Sequence, residues 1–237
     1  ISREEFFKTM AQYIKPVLHH SRKIGFCFSY AMETLPNKDG RLIEFSKEVK
    51  VRNLTGVIIG ESLLKAVGDM GCDNDKEIVL LNDTVAALLG GKVTYPDRAF
   101  ESFIGFILGT GTNTCYIEKN SNIRKVEALA QKRGSTIINM ESGTYGRAPR
   151  GVIDLEYDEQ TTNPGKYTFE KMISGRYQGG LINLTIQKAI EEGLFSEDFK
   201  RNVQRIGNIS TKDINDFLHY PYSISKLSKC CAEKTDD

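Results

Sequence analysis

The sequence predicts an α/β fold with some parallel strand pairing. Three observations carry that reading. Helical-period segments alternate with short apolar runs through the first 91 residues. A glycine-threonine turn, Gly109-Thr110-Gly111-Thr112-Asn113, then stands between two β-favouring runs. The 237 residues are 40% hydrophobic and 27% charged, the composition of an ordinary soluble globular protein with length for one large domain or two lobes.

Residues 2–18 read as the first helix: Ser2 with Glu5 has the pattern of a capping box, and Phe6, Met10, Tyr13, Ile14 and Leu18 recur at helical spacing. Residues 24–30 are rich in aromatic and β-favouring side chains and read as a strand. Pro36-Asn37-Lys38-Asp39-Gly40 is a turn, with a short strand candidate over 41–45. Residues 60–71 form a helix with Leu63, Leu64 and Val67 on one face. Residues 77–81 are a buried-type strand running into Asn82-Asp83, followed by a small-residue helix over 84–91.

Beyond this point the pattern changes. Residues 102–108 and 115–118 flank the glycine-threonine turn as a hairpin, and 136–140 form another strand. Pro164-Gly165 precedes a long helix candidate carrying Phe169, Met172, Ile173, Tyr177, Leu181, Leu184 and Ile186. Gly175, Gly179 and Gly180 argue against one straight helix there unless the backbone must approach something. From about Lys200 the chain reads as helix and loop. A division near Asp83 makes 1–83 a small lobe and 84–237 part of a larger one.

With 32 basic and 31 acidic side chains, a formal charge of +1 argues against nucleic acid or an anionic membrane surface as partner. No apolar run approaches the length of a membrane span, and the charged Ile1–Glu5 end lacks a secretory pattern. Five irregularly spaced cysteines fit reduced thiols and a cytoplasmic setting. The three histidines show no metal-ligand spacing with them.

Asp83 lies between an apolar strand and a small-residue helix. It serves there as a helix N-cap, as a base that takes a proton from a bound hydroxyl, or as both. Gly109, Thr110, Gly111 and Thr112 form either a plain hairpin turn or a cradle whose backbone N–H groups point at phosphate. Phosphoryl transfer asks a protein for such positioning and charge neutralisation, plus a group that orients the nucleophile. Polar groups at strand ends or turns that could converge on sugar hydroxyls are Ser29, Ser46, Lys47, Asn82, Asp83, Asn113 and Glu141.

Taken in order, these segments resemble the hexokinase family, the ATP-dependent hexokinases and glucokinases of the sugar kinase–actin superfamily. The resemblance runs through 25–29, Phe45-Ser46-Lys47, 81–86, 107–118, 138–143 and, most specifically, 163–165 with 169–179. It implies a two-lobed ribonuclease H-like, actin-like ATPase fold, incomplete here at both ends. It also implies 6-phosphorylation of a hexose, with glucose as default, by ATP and Mg²⁺ at the first step of glycolysis. Asp83 would be the general base. Ser29, Ser46, Lys47, Asn82, Asn113 and Glu141 would hold the sugar, and Thr110 with its neighbours would face the transferred phosphate.

Departures from the family pattern set further expectations. Gly180 stands where the family has a sugar-binding glutamate, so Gly180→Glu is expected to tighten glucose binding. Tyr30-Ala31 replaces the usual Phe-Pro at the pocket rim. The family's first phosphate motif and its adenosine motif are not in this chain, so the isolated chain is expected to have little kinase activity and an unpaired sheet edge. The competing readings are a hexokinase-like sugar sensor or regulator without catalysis, and an actin-like or chaperone-like ATPase. The latter has no reason to carry the sugar-site segments.

Overall fold

The computed structural model describes residues 1–44, 51–72 and 75–231. Two compact units divide at Ala99/Phe100.

In the first unit, α1 (Arg3–Ile14) starts where Ser2 Oγ accepts the Glu5 N–H at 3.1 Å. The sequence reading carried this helix to Leu18. Instead Pro16, which lacks an N–H, ends it, and Lys15–His20 form a 3₁₀ turn. Strand β1 (Lys23–Cys27) pairs in parallel with β4 (Glu77–Leu81), from Lys23↔Glu77 to Cys27↔Leu81. Among the described strands β1 pairs with β4 alone. Between them come an antiparallel pair, β2 (Ala31–Thr34) with β3 (Gly40–Glu44), and helix α2 (Ile59–Asp69).

Helix α2 lacks a capping side chain of its own. The buried Asp39 carboxylate supplies one, accepting from Gly60 N at 2.8 Å and Glu61 N at 2.9 Å. The same turn accepts the Leu80 N–H through Lys38 O at 3.0 Å, which pins β4. Phe7, Ala11, Leu42, Leu54, Ile59, Leu63, Val67, Ile78 and Leu80 close the core of this unit.

In the second unit, β5 (Ile104–Leu108), β6 (Thr112–Lys119) and β7 (Ser135–Asn139) form an antiparallel meander. The short helix α4 (Glu127–Ala130) lies in the β6–β7 connection. Helix α5 (Val152–Glu159) follows the sheet. The long helix candidate after Pro164, whose glycines argued against one straight helix, is two helices, α6 (Thr168–Ile173) and α7 (Gly175–Glu191), broken at Ser174 with φ −84° and ψ 154°. The break has a cause. Gly175 N donates to Gly109 O at 2.7 Å and Arg176 N to Thr110 O at 3.1 Å, so the helix opens where it meets the glycine-threonine turn.

Further along, a Cβ on Gly179 would stand 2.7 Å from Thr211 N, so that glycine admits the start of another helix. The remainder is helical: α8 (Glu197–Ile206), α9 (Thr211–His219) and α10 (Ser228–Cys231). No helix among the described residues is long and apolar enough to cross a membrane.

Candidate active site

In a parallel pair both strands deliver their carboxyl ends to the same side, the usual place for a ligand in an α/β sheet. Here β1 runs out at Phe28-Ser29 and β4 at Asn82-Asp83, tied by Phe28 N donating to Leu81 O at 2.9 Å. The structure therefore brings Ser29 to Asp83, whose N–H donates to Ser29 Oγ at 3.2 Å.

Helix α3 (Asp83–Thr94) is capped by Asn82, not by Asp83 as the sequence suggested. Asn82 Oδ1 accepts the Thr84 N–H at 2.9 Å, which places Asp83 at the first helical position. The positive end of the helix dipole favours a carboxylate there. Asp83 Oδ1 also takes the Thr84 N–H at 2.7 Å and the Thr84 hydroxyl at 3.2 Å. Asp83 Oδ2 has no hydrogen-bond partner among the described residues, so one carboxylate oxygen is left for a ligand. Ser46 and Lys47 lie outside the described residues.

The second unit carries the other predicted residues. The buried Asn113 donates through Nδ2 to Asn139 Oδ1 at 2.8 Å and, more weakly, to Glu141 Oε1 at 3.5 Å. Asn139 Nδ2 donates to the same Glu141 oxygen at 2.7 Å. Asn113 and Glu141 are thus joined, and Asn139 is the member that residue-by-residue reading missed. Glu141 reaches this place because its backbone turns left-handed, φ 50° and ψ 46°, and Thr144 closes the corner by donating to Glu141 O. A non-glycine residue in that conformation costs about 1 kcal/mol or more. The result is a carboxylate with two amides, a set suited to sugar hydroxyls.

Two residues before Asn113 the turn itself folds back, Gly109 N donating to Gly111 O at 2.9 Å. The N–H groups of Thr110 and Gly111 and the Thr110 hydroxyl have no partner among the described residues. Thr112 is different: its N–H donates to Glu170 Oε2 at 2.9 Å and its hydroxyl to Ile107 O, so both of its donors are spent on bracing the turn. Two free N–H groups and a hydroxyl fit a phosphate group. Among the described residues no cluster of three His, Cys, Asp or Glu could hold a metal ion.

Gly180 corrects another expectation. A Cβ at this position would fall on the Tyr157 hydroxyl and 2.7 Å from the ring atom Cζ, so the ring fills the space a side chain would need. Gly180→Glu alone is now expected to give no gain in a calorimetric glucose titration and to lower stability by about 1–3 kcal/mol through overpacking. Adding Tyr157→Ala should restore much of that loss in urea unfolding.

A family model described as Hexokinase matches residues 103–235, more than half of the chain, and a second with the same description matches residues 2–93. The chain belongs to the hexokinase family. It is 31% identical over 218 residues to Hexokinase-1 of Spinacia oleracea, covering 91% of this chain and 43% of that protein. It is 34% identical over 195 residues to Glucokinase-1 of Kluyveromyces lactis, covering 76% and 40%. The chain therefore spans less than half the length of these relatives. The structure of a hexokinase from Schistosoma mansoni complexed with glucose is similar with a TM-score of 0.63 at 24% identity, covering 97% of this chain and 57% of that one. The mixed α/β architecture is thus that of a hexokinase, with its actin-like ATPase fold.

Proposed function

We propose that this chain forms the sugar and transferred-phosphate sites of a cytoplasmic hexokinase that transfers phosphate from ATP to the 6-hydroxyl of a hexose, D-glucose by default, in the first step of glycolysis. The observation that carries the reading is one hairpin with two adjacent sites. Asn113, Asn139 and Glu141 gather a sugar-type donor and acceptor set beside the turn whose Thr110 and Gly111 N–H groups have no partner among the described residues. Asp83, with one oxygen unpartnered among the described residues and Ser29 at its backbone, supplies the group that a hydroxyl nucleophile needs.

Phosphoryl transfer passes through a loose transition state, so the proton leaves the acceptor hydroxyl late and an ordinary carboxylate suffices as base. Glu141, Asn113 and Asn139 orient the sugar, with Ser29, Asn82, Ser46 and Lys47 as its further holders. Thr110 and Gly111 hold the transferred phosphate. Magnesium, arriving with ATP, neutralises phosphate charge when bound.

One observation favours a second reading, a sugar-binding sensor without catalysis: Tyr157 fills the space at Gly180. Calorimetric titration of this chain with glucose, run beside a coupled ATP assay of the full-length protein, separates the readings. Saturable binding with glucose phosphorylation supports the kinase, binding without turnover supports the sensor, and no binding overturns both for this chain.

A further inference from the structure

Thr112 opens β6, and the sheet supplies no partner for its N–H. In an antiparallel ladder alternate residues turn their backbone groups to one neighbour. The even residues of β6 face β7, as where Thr114 O accepts the Met140 N–H at 2.9 Å. Continued by one rung, the ladder would set Thr112 against Ser142. The chain leaves the sheet before that rung, because the left-handed turn at Glu141 swings it back to Asn113. Building the sugar corner therefore strands the Thr112 N–H.

Glu170 on α6 replaces the missing rung through Oε2, at 2.9 Å. Two glycines make room for it. A Cβ on Gly111 would stand 2.5 Å from that oxygen, and one on Gly143 3.1 Å from it. Neither glycine has a positive φ, so close approach and not backbone freedom is what these positions use. The oxygen is wedged between the phosphate turn on one side and the Ser142–Thr144 corner on the other. Its helix is anchored by the neighbouring residue: the buried Lys171 donates to Asp158 Oδ1 at 2.5 Å and to Asn163 O at 2.8 Å.

We propose that Glu170 is a positioning residue that holds the Gly109–Gly111 turn and the Glu141 corner in register, so that phosphate and sugar are presented to each other in one geometry. This rests on the hexose-kinase reading. The carboxylate lies behind the turn and touches neither substrate; it acts through Thr112 and the two glycines.

The test compares, in the full-length protein, wild type with Glu170→Ala and with Glu170→Gln, whose amide oxygen keeps the same reach. Amide hydrogen exchange followed by NMR reports the hold on Thr112, and steady-state kinetics report its use. In the alanine variant the Thr112 N–H should exchange about tenfold faster or more, and kcat should fall about tenfold or more at a nearly unchanged KM for glucose, because a small misplacement of reacting groups is costly. Glutamine should restore both to within about threefold of wild type, on the same positional argument. Should alanine unfold the unit, Glu170→Asp, which withdraws the oxygen by one methylene, carries the same expectation.

Unchanged Thr112 exchange, a KM for glucose that rises with no loss of kcat, or a glutamine variant as impaired as alanine would overturn the proposal. Failure of wild type to bind or phosphorylate glucose, with Thr112 still responding to the variants, would sink the hexose-kinase reading and leave the hold on the turn standing.

Discussion

Asp83→Asn is expected to reduce kcat for glucose phosphorylation by about 10²–10⁴-fold, the usual worth of a positioned general base. Glucose affinity should stay within about threefold, since a base acting in the transition state contributes little to ground-state binding. The substitution is a clean one for structural reasons. Asparagine keeps an Oδ1 acceptor for the Thr84 N–H and hydroxyl, and the cap of α3 is Asn82, one residue earlier. The Asp83 N–H to Ser29 Oγ bond is backbone and survives. What is lost is the negative charge and the acceptor at Oδ2. A coupled ATP assay and a glucose titration on the same variant decide the matter. Retained turnover would remove Asp83 from the role of base. Lost glucose affinity with proportionate loss of turnover would make it a sugar ligand instead.

The sequence made most of this site legible on one level and hid it on another. Strands β1 and β4 announced themselves as short β-favouring and apolar runs ending in Ser29 and Asn82-Asp83, and parallel pairing then brought those ends together. The hairpin around Gly109–Asn113 was read in place because glycines between two β-rich runs leave few alternatives. Pro16 was a legible helix stop, and the reading ran past it. The serine caps of α8 and α9 were equally legible: Ser196 accepts the Phe199 N–H, and Ser210 with Asp213 closes a capping box. These signals are local.

Glu170 could not be found that way. On its helix it looks like any solvated acid. Its partner Thr112 is 58 positions away, and the clue is negative, the absence of Cβ atoms at Gly111 and Gly143. Asn139 stood in the 138–143 segment that carries the resemblance, but its bond to Glu141 depends on a left-handed turn that no glycine marks. The break at Ser174-Gly175 fell between these cases. Its glycines warned of a close approach, but only the fold identifies Gly109 O as what is approached.

The second large effect concerns the buried ion pair behind α6. Lys171 is 3% and Asp158 7% exposed, and their 2.5 Å contact is supported by Asn163 O on the lysine and by Arg150 and the Gly165 N–H on the carboxylate. Removing one partner leaves the other charge buried, so Lys171→Met should cost about 3–5 kcal/mol at neutral pH. Replacing both, Asp158→Leu with Lys171→Met, should recover much of it, because two apolar side chains carry no desolvation cost.

The pH dependence has a definite sign. Burial pushes the Asp158 carboxyl up, but the Lys171 ammonium and the Gly165 N–H outweigh it, and the group ends below its ordinary value. A carboxyl depressed on folding contributes its full stabilisation above the unfolded value, about 4, and loses it as pH falls through the folded one. The stability gap between wild type and Lys171→Met should therefore be widest near neutrality and narrow below about pH 4. The chain has no tryptophan, so urea unfolding is best followed by far-UV circular dichroism. A gap that stays constant into acid would show that Lys171 stabilises α6 through packing of its methylenes and the Asn163 bond rather than through the Asp158 charge.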